Sequence, residues 1–359
     1  MSAGLHPAAG AAPQRVFVTD CEGPLTKNDN AQEIAERFIP GGAEFFARLS
    51  KYDDFLADVI RRPGYNAGDT LRLLPPFLKA FAVTDRDVES FSAERVLMVS
   101  GALEMLDEVR ALLPTFIVST SYTPYLKALC SLSGFPMDDV RCTDLSLDVW
   151  EMPEDEKAWL RAQVDVVLEQ GIIGIAEGAA SAADLSPVDQ ESAAMLDDLF
   201  WRRMDGRVSG AMLDAVRPVG GGMKLAALEG IMVAEQVRGA DVMYAGDSIT
   251  DVPPLEAVRA WGGISLSFNG NAYALAAAEF AAASADAEVT AELARAFATS
   301  GRDGVLEVVR AWPKPTEGVE PTGRERAYVG VVQEELQALA EASAALRRSV
   351  RGERVARLG

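Results

Sequence analysis

The stretch RVFVTDCEGPLT, residues 15–26, decides the fold of this chain. Its first half is a short run of β-branched and aromatic residues, which predicts a buried strand. The run stops at Asp20, and Gly23 with Pro24 prevents the strand from continuing. The sequence therefore predicts a first strand that ends on a carboxylate and turns at once into a loop.

Further strand patterns alternate with helical patterns along the chain. They are residues 115–119 (TFIVS), 140–142, 241–245 (DVMYA), 263–268 (GISLSF) and, as an edge strand, 279–283. This alternation predicts an α/β protein with a Rossmann-like, mostly parallel sheet and helices on both faces. In such sheets the ligand crevice lies at the carboxyl ends of the strands. Asp20, Ser119 and Asp247 follow the first, second and fourth strands, so we expect them to share one crevice.

Two long segments with helical patterns and no strand pattern interrupt this alternation. The predicted organisation is a disordered leader (1–14), a core (15–27, 100–149 and 213–312), a helical cap insertion (28–99), a second, acidic helical insertion (150–212), and a linker with a C-terminal helix (313–359). The helix itself is expected from about residue 324 to residue 350. Its apolar stripe predicts that it docks on the body of the protein or in a homodimer.

The net charge and the rare residue types exclude several classes of function. A formal net charge of −20 argues against sequence-independent binding to nucleic acids or to anionic membranes. The single histidine, His6, lies in the leader, so a Ser-His-Asp triad or an HExxH zinc site cannot form. Three scattered cysteines predict no disulfide framework, and the N-terminal segment lacks the pattern of a secretory signal. We expect a cytoplasmic protein whose acid–base chemistry depends on carboxylates, lysines or tyrosines.

Four carboxylates are expected at the crevice, in the segments DCE and GDSITD: Asp20, Glu22, Asp247 and Asp251. Carboxylates that converge repel one another unless a cation lies among them, and hard oxygen ligands suit Mg²⁺. Lys224, at a glycine-led helix start, adds a positive charge, and Ser119 with the amides that follow it adds neutral donors for an anion. These residues predict phosphoryl transfer, in which positioning and neutralisation of charge do most of the catalysis.

Four segments resemble the motifs of the haloacid dehalogenase (HAD) superfamily, in the order of that family. They are VFVTDCEGPLT (motif I), FIVSTSY (motif II, in the phosphoserine phosphatase-like form), GGGMK (motif III) and VMYAGDSITD (motif IV). The similarity covers roughly residues 15–126 and 218–312, without the inserted helices. It implies a Mg²⁺-dependent phosphatase that hydrolyses a small phosphorylated metabolite through an aspartyl-phosphate intermediate.

Matched position by position, the resemblance implies a role for each residue. Asp20 attacks phosphorus, and Glu22 protonates the leaving alcohol and then activates water, while its backbone carbonyl binds Mg²⁺. Asp247 holds the metal, and Asp251 supports the metal or Lys224. The implied sets are catalytic Asp20, Glu22 and Lys224; phosphate-binding Ser119, Thr120 and Lys224; and metal-binding Asp20, Glu22, Asp247 and Asp251.

Glu22 departs from the family pattern, because the phosphatases usually carry Asp at this position. The extra methylene moves the carboxyl group, and a misplacement of about 1 Å can reduce a rate about 100-fold. The form DCEGPLT resembles a prokaryotic branch of the superfamily that includes a protein associated with an energy-converting hydrogenase. This likeness does not indicate a substrate.

Several alternatives stay open on the sequence. Asp20 and Asp247 are alternatively helix N-caps, and Asp251 is alternatively a solvated acid of a first helical turn. Ser121 is a further candidate beside Ser119 for the phosphate contact. At the level of function, the rivals are transfer of the phosphoryl group to another acceptor, as in a mutase, and an inactive scaffold whose helical insertions bind a protein partner. A dehalogenase is disfavoured, because it has no use for the metal carboxylates.

Overall fold

A computed structural model describes residues 14–176, 178–313 and 327–356, with side chains to residue 350. Seven strands form one sheet in the order β3-β2-β1-β4-β5-β6-β7. They are β1 (Val16–Thr19), β2 (Thr115–Tyr122), β3 (Val140–Thr143), β4 (Val242–Gly246), β5 (Ile264–Phe268), β6 (Phe280–Ala283) and β7 (Tyr328–Val331). Neighbouring strands run parallel except β6 and β7. The expected Rossmann-like, mostly parallel sheet is confirmed.

Helices make up most of the rest of the described chain. The α-helices are α1 (Asn30–Phe38), α2 (Gly42–Asp54), α3 (Thr70–Leu73), α4 (Pro75–Ala80), α5 (Asp85–Ala93), α6 (Ala102–Leu112), α7 (Thr123–Ser133), α8 (Glu154–Leu168), α9 (Pro187–Asp198), α10 (Val208–Ala215), α11 (Gly222–Glu235), α12 (Val252–Ala260), α13 (Ala272–Ala277), α14 (Glu288–Arg310, kinked at Gly301) and α15 (Val332–Ala356). Single π-helical turns extend α2 and α9, over Phe55–Val59 and Leu199–Arg203.

β1 lies at the centre of the sheet, between β2 and β4. Phe17 is opposite Thr115 of β2 and Met243 of β4. Its side chain packs on the face covered by α6, α7 and α14, whereas Val16 and Val18 pack on the face covered by α11 and α12. A strand buried on both faces needs the continuous apolar run that this sequence has. The residue after β1 therefore emerges in the middle of the carboxyl edge of the sheet.

The two helical insertions pack together. Side chains of α1–α5 and of α8–α10 belong to one hydrophobic cluster, and Phe200 of the second insertion contacts Tyr52 and Phe77 of the first. The ring centroids are 6.1 Å apart in both pairs. Aromatic pairs at this separation contribute about 0.5–1.5 kcal/mol beyond the area they bury. The second insertion is thus packed against the first through a shared hydrophobic cluster.

The C-terminal segment differs from the prediction. A helix was expected from about residue 324, but Tyr328–Val331 forms β7 and α15 begins only at Val332. The sequence YVGV is rich in strand-forming residues, and it pairs antiparallel with β6, with Val331 opposite Phe280. β6 is therefore not the edge strand that we expected, because β7 pairs with its outer side. The predicted leader, apart from Gln14, and most of the predicted linker, residues 314–326, lie outside the described residues.

Within the described part of the chain, no helix has both the length and the apolar character needed to span a bilayer.

Candidate active site

Asp20 is the first residue after β1, and its side chain is buried at the carboxyl edge of the sheet. Its amide donates a hydrogen bond of 2.8 Å to the carbonyl of Ala245 in β4, which fixes the turn. Oδ1 accepts the Cys21 amide at 2.6 Å, and Oδ2 accepts Lys224 Nζ at 2.7 Å. No helix starts at Asp20, so its alternative role as a helix N-cap is excluded. Cys21 itself is fully buried in the core.

Lys224 lies in the first turn of α11 and is fully buried. The turn before it is tight: Gly221 has φ +48° and ψ −120°, and a Cβ on Gly220 would lie 2.4 Å from the Ala67 carbonyl oxygen. Glycines at these positions let the helix start close to the loop of the first insertion. Burial opposes the charge of Lys224, but the carboxylates of Asp20 and Asp251 outweigh it and raise the pKa of Lys224 above its ordinary value. Lys224 is therefore a permanent positive charge beside Asp20.

Asp251 holds Lys224 in place. Its Oδ1 accepts Lys224 Nζ and the Tyr244 hydroxyl, each at 2.7 Å. Its Oδ2 accepts the amides of Asp247 and Ser248, each at 3.1 Å. Asp251 is fully buried, so the alternative of a solvated acid is wrong. Both of its oxygens accept protein donors, so Asp251 supports Lys224 in this geometry.

Asp247 follows β4 directly and is also buried. A Cβ on Gly23 would lie 2.3 Å from its Cγ, so only glycine fits where the loop after β1 passes it, at φ +103°. On its other side, Nη1 of Arg347 in α15 donates to the Asp247 carboxylate and, at 3.2 Å, to its carbonyl oxygen. The sequence prediction missed Arg347. The only signal was its position in a predicted amphipathic helix, because the contact joins residues 100 positions apart.

Asp20, Asp247 and Asp251 form a buried group whose carboxylate oxygens lie within 4.8 Å of one another, and no other such group occurs among the described residues. Burial raises the pKa of Asp20 to about 7; Lys224 opposes this shift, and Asp251 and Asp247 add to it. Carboxylates that repel in this way are stabilised by a cation, and oxygen ligands suit Mg²⁺. This donor set fits the metal that the resemblance implies, and Asp20, Asp247 and Asp251 are the side chains that could hold it.

The Glu22 side chain does not belong to this group, although it lines the same pocket. Its Oε1 accepts the amide of Asn30 at 2.8 Å, at the first residue of α1. Glu22 is partly exposed to solvent. The motif I loop is thus tied directly to the first insertion through the residue that departs from the family pattern.

The end of β2 supplies hydroxyl groups. The strand was expected to stop at Ser119 but continues to Tyr122, with a shift in its register against β3 between Val118 and Tyr122. Ser119 Oγ accepts the amide of Ser121 at 3.2 Å, and the buried Thr120 hydroxyl has no hydrogen-bond partner among the residues that the structure describes. All three residues from 119 to 121 line the pocket. A bulge of this kind re-aims backbone and side chains at the edge of a sheet.

These residues surround a cavity of about 130 Å³ between the core and the first insertion. The insertion contributes Asp29, Ala31, Phe46, Ser50, Asp53, Asp54, Gly68, Thr70 and Leu71 to its wall. Two arginines of the first insertion are ion-paired with other residues, Arg62 with Asp197 and Arg72 with Asp69 and Asp214. Among the described lining residues, Arg347 is the only lysine or arginine.

Comparison with solved structures gives a close match over nearly the whole chain. Gene product AF1437 from Archaeoglobus fulgidus has a TM-score of 0.82 and 29% sequence identity, over 96% of this chain and 99% of that chain. No protein-family model matches the chain, and no curated protein matches its sequence.

Two further solved structures match weakly. A substrate-bound phosphoserine phosphatase complex has a TM-score of 0.42 and 14% identity, over 76% of this chain and 93% of that chain. A HAD family hydrolase from Salmonella enterica serovar Typhi has a TM-score of 0.41 and 12% identity, over 72% and 64%.

The fold shared with AF1437 spans nearly the whole chain, helical insertions included. Side chains from the four segments that resemble HAD motifs meet at one site at the carboxyl edge of the sheet.

Proposed function

We propose that this protein is a Mg²⁺-dependent HAD phosphatase that hydrolyses a small phosphomonoester through an aspartyl-phosphate on Asp20. One observation carries the proposal: a fully buried lysine bridges two carboxylates, with Lys224 Nζ at 2.7 Å from both Asp20 and Asp251, beside a third carboxylate on Asp247. A lysine held by Asp251 and aimed at Asp20 is arranged to neutralise a nucleophile and the phosphoryl group that it receives.

Asp20 and Asp247 would hold the metal. Mg²⁺, when bound there, lowers the charge repulsion between the carboxylate nucleophile and the phosphoryl group. The site lies deep in an acidic protein, and the carboxylates of Asp20 and Asp247 are buried. These two side chains supply the hard, negatively charged oxygen atoms that this cation prefers.

The reaction proceeds in two steps. An oxygen of Asp20 attacks phosphorus and forms a bond to it, while the bond between phosphorus and the leaving oxygen breaks. Glu22 gives the leaving oxygen its proton. Glu22 then takes a proton from water, the water oxygen attacks phosphorus, and Asp20 is released together with inorganic phosphate.

The hydroxyl-rich end of β2 orients the phosphoryl group. Ser119 and Thr120, whose hydroxyl has no partner in the described part of the chain, line the cavity beside Asp20. Neutral donors at fixed positions bind a phosphoryl oxygen without adding a charge that would trap the product. The first insertion acts as a cap, because its α2 and the loop at Gly68 form the opposite wall of the cavity and exclude water when they close.

A panel of phosphomonoesters with Mg²⁺ tests the proposal, with release of inorganic phosphate as the readout. Wild-type protein is expected to hydrolyse at least one member, and Asp20→Asn is expected to hydrolyse none above background. Asp241→Asn is the matched control, because Asp241 is also buried but lies at the amino end of β4, away from the site. Equal background rates for wild type and Asp20→Asn across the panel would refute the proposal and favour an inactive scaffold. Transfer to added sugars or alcohols in place of phosphate release would favour a phosphotransferase.

A further inference from the structure

Arg347 reaches the cavity from the C-terminal helix, far along the chain from the four motifs. The helix α15 is held on the sheet by β7 and by a small apolar cluster of Leu275, Ala281, Val332 and Leu339. The Tyr328 hydroxyl also donates to Glu335 at 2.6 Å, which ties the first turn of the helix to β7. The body of the protein therefore fixes the position of this helix and of its arginine.

The guanidinium group of Arg347 is only partly used by the protein. The residue is 4% exposed, and its hydrogen bonds among the described residues all come from Nη1, to the Asp247 carboxylate and carbonyl. The buried Nε has no hydrogen-bond partner among those residues. An unpaired buried donor is costly unless a ligand or an ordered water accepts its hydrogen bond. The free Nε–H on a residue that lines the cavity points to an acceptor that belongs to a ligand.

The charge of the cavity wall indicates what kind of ligand that is. The carboxylates that line it are Asp20, Glu22, Asp29, Asp53, Asp54 and Asp247. Lys224 is already engaged by Asp20 and Asp251. These carboxylates repel an anion that enters the cavity unless further positive charge faces the anion. Arg347 supplies that charge. A planar guanidinium is well suited to oxyanions, because its donors match the spacing of phosphoryl oxygens.

We propose that Arg347 is a substrate-binding residue that donates a hydrogen bond from its free Nε to a non-bridging oxygen of the substrate's phosphoryl group. The inference rests on the proposed function for the identity of the ligand. In this arrangement Nη1 stays on Asp247, so one guanidinium links the metal carboxylate to the substrate. The C-terminal helix is then part of the active site.

Binding of inorganic phosphate, measured by calorimetry on the full chain with and without Mg²⁺, tests this inference. Arg347→Ala is expected to raise the Kd for phosphate about 10- to 100-fold, the range for loss of a charge-assisted hydrogen bond. The Kd of Arg347→Lys for phosphate is expected to lie between those of wild type and Arg347→Ala, because lysine keeps the positive charge and lacks the planar guanidinium. Arg348→Ala is the matched control, since Arg348 is the next residue on the same helix and is exposed. It is expected to bind phosphate as wild type does.

Two outcomes would overturn the inference. If Arg347→Ala binds phosphate as wild type does, Arg347 acts only on Asp247. If it leaves phosphate binding unchanged and binds Mg²⁺ more tightly, with faster hydrolysis, the guanidinium competes with the metal and the helix is autoinhibitory. A thermal melt checks that each variant is folded. If Arg347→Ala does not fold, phosphate and Mg²⁺ binding are measured on Arg347→Lys instead, and the same two outcomes would overturn the inference.

The inference and the proposed function fail in different ways. An Arg347-dependent phosphate site in a protein that hydrolyses no phosphomonoester contradicts only the proposed function. Hydrolysis that depends on Asp20, with a KM and a phosphate Kd unaffected by Arg347→Ala, contradicts only the inference. If both hold, Arg347→Ala raises KM more than it lowers kcat.

Discussion

Glu22 is a candidate for two roles, one in the reaction and one in holding α1 in place. Its carboxylate accepts the first amide of α1, and the same side chain lines the cavity beside Asp20. A role in capping α1 requires only a hydrogen-bond acceptor, whereas a role as general acid and base requires a group that titrates. The two roles are therefore separable by a substitution that keeps the acceptor and removes the proton.

Glu22→Gln is expected to reduce kcat by about 100- to 10,000-fold, the range for loss of a general acid–base residue. The amide oxygen still accepts the Asn30 amide, so the unfolding midpoint is expected to stay within experimental error of wild type. Steady-state kinetics on whichever phosphomonoester the wild type hydrolyses, together with a thermal melt, measure both effects. A change in kcat of less than about twofold would show that Glu22 serves only α1.

Asp53 is a buried carboxyl group of the cap, with Oδ2 accepting the Gly68 amide at 2.8 Å. Burial raises the pKa of Asp53 well above its ordinary value of 3.8; Asp54 adds to the shift, and the hydrogen bond from Gly68 opposes it. The folded protein then holds a proton that the unfolded chain releases. As pH rises above 3.8 toward the raised pKa, the free energy of unfolding falls, by at most about 1.4 kcal/mol per pH unit for one proton.

Asp53→Asn is expected to remove this fall, because the amide does not titrate. Chemical unfolding of wild type and variant at several pH values from about 4 to about 8 gives the comparison. The variant should be close to wild type in acid and gain stability relative to it toward neutral pH. Glu44→Gln, an exposed change on the same helix, is the control. Parallel curves for wild type and Asp53→Asn would contradict a raised pKa.

At the scale of elements, the loop at Gly68 is where the cap meets the core. Gly68 has φ +93°, and a Cβ there would lie 3.0 Å from the methyl groups of Thr120 and Thr250. Gly64, in the same segment, has a similar φ of +76°, and a Cβ there would meet nothing within 4 Å. A substitution at either glycine would cause the same conformational strain. Only a side chain at position 68 would also contact residues across the cavity.

Gly64→Ala is expected to cost about 1 kcal/mol, from the positive φ alone. Gly68→Ala is expected to cost about 1 kcal/mol more, because Thr120 or Thr250 must shift, and to lower kcat as well. Denaturant unfolding and kinetics on the two variants give the comparison. If Gly64→Ala and Gly68→Ala lose the same stability and keep wild-type activity, the loop at Gly68 is not packed tightly against the end of β2.

The elements that could be predicted from the sequence are those defined by local pattern. β1, β2, β4 and β5 are runs of apolar residues that end in glycine, proline or polar residues, so their positions follow from composition alone. β7 could not be predicted, because YVGV is only four residues long and is a strand only through its pairing with β6. The extension of β2 past Ser119 depends in the same way on its register against β3.

At the scale of the whole molecule, the site joins segments that are far apart in the chain. Asp20, Lys224, Asp247 and Asp251 could be predicted because each follows a strand or opens a helix in a recognisable motif. The packing of the second insertion on the first, and the arrival of Arg347 beside Asp247, depend on tertiary contacts that leave no local pattern. Long-range pairs of this kind set the shape of the cavity and the charge of its wall.

Mg²⁺ is expected to stabilise the whole protein, because a ligand that binds only the folded state adds RT ln(1 + [L]/Kd) to the free energy of unfolding. At a hundredfold excess over Kd this is about 2.7 kcal/mol, a rise of a few degrees in the melting midpoint for a chain of this size. Asp247→Asn is expected to abolish the rise, and Asp241→Asn to preserve it. A midpoint that does not respond to Mg²⁺ in the wild type would contradict the metal site.

The central claim is that Asp20 carries the phosphoryl group during turnover. Wild-type protein is quenched in acid during hydrolysis of a phosphomonoester in the presence of Mg²⁺ and reduced with borohydride, which converts an aspartyl-phosphate to homoserine. Peptide mapping by mass spectrometry then locates the change. We expect homoserine at position 20, and only in samples that contain substrate. Unmodified Asp20 under conditions of active turnover, or homoserine at another aspartate, would contradict the account.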